Sequence, residues 1–237
     1  MNYRPSDIMT IAIARMLKND ETVFHGVASP LPMVAIQLAK SLQAPDLIYV
    51  NITGGVDAKP LKFSKSTDGP ELLKGTKALF PLSEIFDLSM RGGLDVAFLS
   101  GIQFDSYGNV NASVVGDYHK PKVRLPGGAG SAVLIPTAKR AIIWRTKHDK
   151  RTFVPKCDFV TTRGNIHKIV TPLCIFAFKD GRLVLDSIHK TSSLQEVIDN
   201  TGFEVVYDKI RFTEDPTPEE LKMLQKVDPT DIRSIEF

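Results

Sequence analysis

Ala44-Pro45-Asp46-Leu47-Ile48-Tyr49-Val50-Asn51-Ile52-Thr53-Gly54-Gly55 decides the fold. Pro45 ends the helix-compatible run before it, because proline lacks the amide that a helix interior needs. The apolar block from Leu47 to Ile52 has the length of a buried strand rather than a helix. Gly54 and Gly55 then turn the chain. Upstream, Ser29-Pro30-Leu31-Pro32 reads as a helix start, since proline is tolerated in a first turn. Residues 33–42 are apolar on most sides, which predicts a buried helix. Residues 21–28 read as a strand. Ser6 and Asp7 are expected to cap a first helix carrying Ile8, Ile11, Ala12 and Met16 on one side. Strand, helix and strand in that order, with near-continuous apolar strands, predict an open, mainly parallel α/β sheet covered by helices.

Downstream, residues 57–78 form a longer polar excursion and 81–91 a helix. Residues 95–100, 139–145 and 158–162 read as strands. Cys174-Ile175-Phe176-Ala177-Phe178-Lys179, Asp180-Gly181 and Arg182-Leu183-Val184-Leu185 spell a hairpin, because Asp-Gly suits a tight two-residue turn. The sheet is therefore expected to become mixed towards its C-terminal end. Ser193 with Glu196 suggests a capping box, and 203–206 a short strand. No linker or repeat interrupts the chain. The expectation is one domain over 1–237, with a polar tail from about 216 holding a short helix at 218–225.

Composition narrows the function. With 237 residues, 43% of them hydrophobic, the chain is long enough for a sizeable core. A net charge of +3 is too small to imply a nucleic-acid partner. Two cysteines make no disulfide framework, and both lie near apolar runs where buried thiols are common. No signal core or membrane-spanning run is present, so a cytoplasmic location and no membrane partner are expected. The five histidines are scattered without metal-ligand spacing.

Two polar turns stand where a ligand is expected, beyond the ends of strands. The first runs Gly101-Ile102-Gln103-Phe104-Asp105-Ser106-Tyr107-Gly108-Asn109-Val110-Asn111. Gln103, Asp105, Asn109 and Asn111 meet a ligand there or stiffen the loop, and stiffening is the simpler role for Asn and Asp in such loops. The second is Pro126-Gly127-Gly128-Ala129-Gly130-Ser131. Its glycines allow close backbone approach, and its amides suit an anion or oxyanion. It has neither the nucleotide-loop spacing nor a Gly-x-Ser-x-Gly elbow.

Residues 26–40, 44–55, 93–111, 127–129, 139–164 and 216–229 together resemble the β subunit of a family I CoA-transferase of the glutaconate CoA-transferase type. The most specific parts are Asp105 to Asn111 and Lys147-His148-Asp149-Lys150-Arg151-Thr152-Phe153-Val154. The resemblance implies a CoA-transferase-like (sugar-phosphate-isomerase-like) α/β fold. It implies a separate α subunit of related fold in an α2β2 assembly, and an acyl-CoA substrate, with coenzyme A entering as part of that substrate rather than as a tightly bound cofactor. In such transferases a β-subunit glutamate attacks the thioester, and its acyl anhydride passes on to a glutamyl-CoA thioester. Laid on that pattern, the glutamate falls at Ile52, which has no nucleophilic atom. A related subgroup, the heteromeric hydrolases that open the last steroid ring, lacks this glutamate and takes its carboxylate from the α subunit. The resemblance thus leaves transfer, hydrolysis or a supporting role open. It assigns Asn51, Thr53, Gly54, Gln103, Asn109, Gly127 and Gly128 to the substrate pocket.

Overall fold

The structure is a computed structural model that describes residues 3–60, 63 and 67–237. The chain forms two compact units, Met1–Phe98 with Asp215–Phe237, and Leu99–Glu214.

The first unit begins with α1 (Pro5–Ala14), β1 (Thr22–His25), α2 (Pro30–Leu42) and β2 (Ile48–Asn51). α1 starts earlier than Ser6 and Asp7 suggest: Arg4 is its cap, and Asp7, in the first turn, accepts the Arg4 amide at 2.9 Å. α2 buries Leu31, Met33, Val34, Ala35, Ile36, Leu38 and Ala39 completely, as a helix apolar on most sides must. Each large aliphatic side chain so buried contributes about 1.5–3 kcal/mol. β3 (Gly55–Val56), β4 (Ala78–Leu79), α3 (Leu82–Met90) and β5 (Val96–Leu99) follow. β1 lies between β5 and β2, parallel to both, while β3 and β4 extend the β2 side antiparallel. The excursion at 57–78 contains a 3-10 turn at Pro70–Leu73; residues 61, 62 and 64–66 within it lie outside the described residues.

In the second unit, β6 (Gln103–Phe104) pairs with β7 (Val110–Asn111), and β8 (Val114–Gly116) with β9 (Pro121–Arg124). α4 (Ser131–Thr137), β10 (Arg140–Trp144), β11 (Ile166–Val170), β12 (Cys174–Lys179), β13 (Arg182–Ile188) and α5 (Leu194–Asn200) complete it. β10 and β11 are parallel, and β12 and β13 continue antiparallel. The expected hairpin is present, with Asp180 at φ 49° and Gly181 at φ 80°, the left-handed pair that a tight primed turn requires. Residues 158–162 are not a strand. The Thr161 hydroxyl accepts the Ala112 amide at 2.9 Å, and the Thr162 carbonyl accepts the Val110 amide at 2.9 Å, so loop pairing uses their polar groups. The strand forms later, at β11. Residues 203–206 also stay irregular; the Val206 carbonyl meets β13 at the Leu185 amide, and Glu204 lies 3.8 Å from Arg182 at its start.

α6 (Pro218–Val227) returns to the first unit and packs on α1 and α2. Its cap is a box that the sequence pattern did not flag: Thr217 accepts the Glu220 amide, and Glu220 accepts the Thr217 amide. Beyond it, Arg233 is almost fully enclosed and reaches Asp7 at 2.8 Å, Asp228 at 2.7 Å and Asp231 at 3.0 Å. The polar C-terminal stretch is thereby tied to the first helix.

Three histidines are buried with every ring nitrogen engaged. His148 bonds Thr171 at 2.9 Å and Thr201 at 3.0 Å; His189 bonds Thr213 and the Thr171 carbonyl, each at 2.9 Å. His25 bonds Tyr49 at 2.6 Å and the Gly26 carbonyl at 2.9 Å. Burial lowers their pKa values from 6.5 to about 3 for His148 and to about 4 for His25 and His189.

These buried rings and charges set two expectations for stability. The unfolded chain takes up protons on the three histidines below pH 6.5, whereas the fold resists until about pH 4. Stability is then intact above pH 6.5 and falls as pH drops through that window, by up to about 1.4 kcal/mol per pH unit for each histidine. Urea midpoints measured from neutral pH down to 5 check this, and a flat profile contradicts it. Arg233→Met strands buried Asp228 without its cation, leaves Asp7 with Arg4 alone, and costs about 3–5 kcal/mol. Arg4→Met, at a half-exposed site, costs under about 1 kcal/mol. Equal effects in denaturant unfolding would refute the difference.

Candidate functional site

β1 and β2 end side by side, with His25 in register with Asn51. Beyond β2 the chain turns through Asn51-Ile52-Thr53-Gly54, closed by the Gly54 amide on the Asn51 carbonyl at 3.0 Å. Gly54 has φ 89°, and a Cβ there would collide with the Phe80 carbonyl oxygen. Only glycine satisfies both demands. Asn51 is fully buried. Its Oδ1 accepts the Gly55 amide at 3.0 Å and the Thr53 hydroxyl at 2.5 Å, and its Nδ2 donates to the Leu72 carbonyl at 2.9 Å. Both polar atoms are therefore engaged, one within the turn and one on the Pro70–Leu73 segment. Ile52, half-buried at the turn's first bend, presents only hydrocarbon.

Beneath this turn lies a pair that the sequence pattern did not flag. Tyr49 and Asn51 are two residues apart on one strand, so they share a face. The Tyr49 ring stacks on His25, centroids 5.5 Å apart. The His25 Nδ1 meets a carbonyl and so carries the proton; the Tyr49 hydroxyl then donates to Nε2. Burial raises the Tyr49 phenol above its ordinary value, and a hydrogen bond with Asn51 opposes the rise. Period-two spacing back from Asn51 was the available signal. Asp57 anchors the other side, accepting the Tyr49 amide at 3.1 Å, Lys40 at 3.0 Å and Lys77 at 2.9 Å. Burial alone raises its carboxyl, but hydrogen bonds from Lys77, the Tyr49 amide and Lys40 outweigh that and leave it below the ordinary value. Glu84 and Asp87, the carboxylates of α3, are exposed.

The second unit contains the remaining expected residues, and it separates Gln103 from Asn109. Gln103 Oε1 accepts Asn111 Nδ2 at 2.7 Å and the Asp158 amide at 3.1 Å; its Nε2 donates to Asp158 at 3.0 Å. Asn111 Oδ1 in turn accepts the amides of Ser113 and Val114. Asn109 belongs to a different group. Its amide and its Nδ2 donate to Asp105 at 3.2 and 3.0 Å, and Asp105 also accepts the amides of Tyr107 and Cys157. Cys157 itself is pushed up in pKa by burial and then by the Asp105 charge, which makes it a poor nucleophile. The Asp-x-x-Gly-Asn-x-Asn stretch thus stiffens its loop.

At the glycine turn, Gly127 has φ 91° and donates its amide to the Ala112 carbonyl at 2.8 Å. The Gly128 carbonyl accepts the Ser131 amide at 2.8 Å. A Cβ on Gly128 would come 2.9 Å from both Ala132 and Thr161. The amides of Gly128, Ala129 and Gly130 donate to no group among the described residues. Trp144 Nε1, buried at the end of β10, likewise has no partner among the described residues. No three His, Cys, Asp or Glu side chains gather as metal ligands among the described residues. An open depression of about 620 Å³, lined by Lys150, Ile198, Phe203 and Tyr207 among others, contains none of these groups.

Among the described residues, no helix is long and apolar enough to cross a membrane. A family model described as Coenzyme A transferase matches residues 6–200. The chain is 35% identical to the β subunit of the 3-oxoadipate CoA-transferase of Pseudomonas knackmussii, over 95% of this chain and 94% of that one. It is 31% identical to the β subunit of the glutaconate CoA-transferase of Acidaminococcus fermentans, over 96% and 94%. The crystal structure of the decarboxylase AibA/AibB matches with a TM-score of 0.92 at 27% identity, covering 97% of this chain and 96% of that one. With its mainly parallel strands and antiparallel margins, the chain belongs to the Coenzyme A transferase family.

Proposed function

We propose that this chain is the β subunit of a heteromeric enzyme acting on an acyl-CoA thioester, and that the reactive carboxylate of that enzyme lies on its α subunit. Coenzyme A enters as part of the substrate. The observation that carries this reading is Ile52. It stands at the bend after β2, between a fully engaged Asn51 and the obligatory Gly54, in the position that the family pattern gives to a glutamate. An acyl-enzyme anhydride needs a carboxylate oxygen, and residues 51–55 contain none.

In this enzyme the chain's own groups bind and orient. The unused amides after Gly127 meet the thioester carbonyl and hold the oxyanion that develops when it is attacked. In the first unit Thr53 and Gly54 line substrate, and in the second Asn109 does. Asn51 and Gln103 act through the loops they brace. The α-subunit carboxylate serves as nucleophile or as base for water. Hydrolysis of a carbonyl-bearing thioester is favoured over ping-pong transfer by the hydrocarbon at Ile52, since water needs a base and an oxyanion pocket but no β-subunit nucleophile. Similarity to a chain of the decarboxylase AibA/AibB supports chemistry on this scaffold other than transfer.

The purified complex, mixed with acyl-CoA and quenched with hydroxylamine or borohydride, is expected to release CoA while this chain keeps its unmodified mass. A trapped glutamate on this chain overturns the proposal. Asn51→Ala is expected to cost about 2–3 kcal/mol, because buried partners lose their hydrogen bonds, and to lower kcat with KM little changed. Unchanged stability with a raised KM would instead mark Asn51 as a direct substrate contact.

A further inference from the structure

The β8–β9 ribbon pairs only with itself and exposes most of its length. Lys120, Lys122 and Arg124 face a single acidic residue, Asp117, over residues 114–124. That carboxylate is already engaged, accepting the amides of His119 at 2.8 Å and Lys120 at 2.9 Å to shape the ribbon's turn. Neither lysine ammonium has an ion-pair partner among the described residues. Beside them is a stacked platform. Tyr118, 45% exposed, lies against Phe159 with centroids 4.9 Å apart and planes at 26°. The Arg124 guanidinium sits 4.9 Å over the Tyr118 ring, and its Nη2 donates to the Tyr118 carbonyl at 2.9 Å. An exposed aromatic ring topped by a guanidinium suits a flat base, and adjacent lysines suit phosphates.

The ribbon's root is rigid. The Gly116 amide donates to Asp158 at 2.8 Å, and Asp158 is held in turn by Gln103, itself bonded to Asn111. On the other strand, the Leu125 amide donates to the Ser113 carbonyl at 2.9 Å and that of Gly127 to Ala112 at 2.8 Å. Residues 122 to 128 then run from cationic tip to glycine turn over at most about 20 Å of extended chain. An acyl-CoA has the same layout: base and phosphates at one end, the thioester carbonyl at the other, a pantetheine arm between them.

We propose that the β8–β9 ribbon binds the adenosine phosphates of a CoA-class thioester, with the Tyr118–Arg124 stack as platform for the base and Lys120 and Lys122 as cations for the phosphates. This rests on the acyl-CoA function proposed above and extends it to a residue-level nucleotide site. Gln103, Asn111 and Asp158 become positioning residues for that site. Charge complementarity favours this occupant, because the ligand is a polyanion and the ribbon's lysines are unpaired.

The test uses the complex with its α subunit, titrated calorimetrically with CoA and with adenosine 3′-phosphate 5′-diphosphate. Lys120→Gln combined with Lys122→Gln is expected to weaken both about tenfold and to flatten the salt dependence of binding. The ratio of kcat/KM for acyl-CoA to that for the matching acyl-pantetheine falls by the same factor. The paired substitution to arginine restores binding. Unchanged affinity and an unchanged ratio overturn the proposal, as does loss of co-elution with the α subunit, which would make the ribbon a protein interface. If the wild-type complex turns over acyl-CoA but the ratio stays fixed in the variant, the ribbon proposal alone fails. If it binds CoA through these lysines yet processes no thioester, the function proposed above fails alone.

Discussion

A single buried amide side chain sets the geometry at the end of β2. Asn51 occupies the last strand position, where the sheet stops satisfying backbone groups, and it takes over that task. Its oxygen receives the Gly55 amide and the Thr53 hydroxyl, and its nitrogen reaches the Leu72 carbonyl. An unmade hydrogen bond at a fully buried amide costs far more than a made one contributes. The turn is therefore held in one shape, and Gly54, pressed against Phe80, admits no side chain. Ile52 stands where it does because both neighbours are immobile.

The same logic recurs in the second unit. Asp105, Gln103 and Asn111 are polar residues in and beside a loop, but each spends its polar atoms on nearby backbone or on another side chain, Asp158 among them. Such networks over-determine a loop and leave backbone amides to face a ligand. The amides of Gly128, Ala129 and Gly130, unclaimed among the described residues, are what such a loop leaves available. Chemistry on this scaffold is thus supplied by backbone dipoles and by groups from a partner, with the side chains of this chain acting as braces.

Burial of ionisable groups divides into two kinds. Arg233 is enclosed among three aspartates and joins the C-terminal stretch to α1, so its desolvation is offset by charge-assisted bonds. His25, His148 and His189 are enclosed among hydroxyls and carbonyls with no carboxylate bonded to them. They persist as neutral rings, and their contribution depends on remaining so.

The sequence by itself determined the parallel α/β architecture, the buried α2, the Asp180-Gly181 hairpin and the missing carboxylate at Ile52. Each of these is local: apolar runs of strand or helix length, a turn that needs left-handed backbone, or the identity of one residue. The sequence did not disclose β11, the small pairs β3–β4, β6–β7 and β8–β9, or the irregular path at 158–162, because two-residue strands are chosen by distant partners rather than by their own pattern. Nor did it separate Gln103 from Asn109, or show Tyr49 bonded to His25. Asn, Gln and Asp are equally suited to a ligand and to a backbone amide. Only the tertiary structure, by placing a free amide within 3 Å of one oxygen and not another, decided which of them brace the loop and left the ribbon's lysines unclaimed.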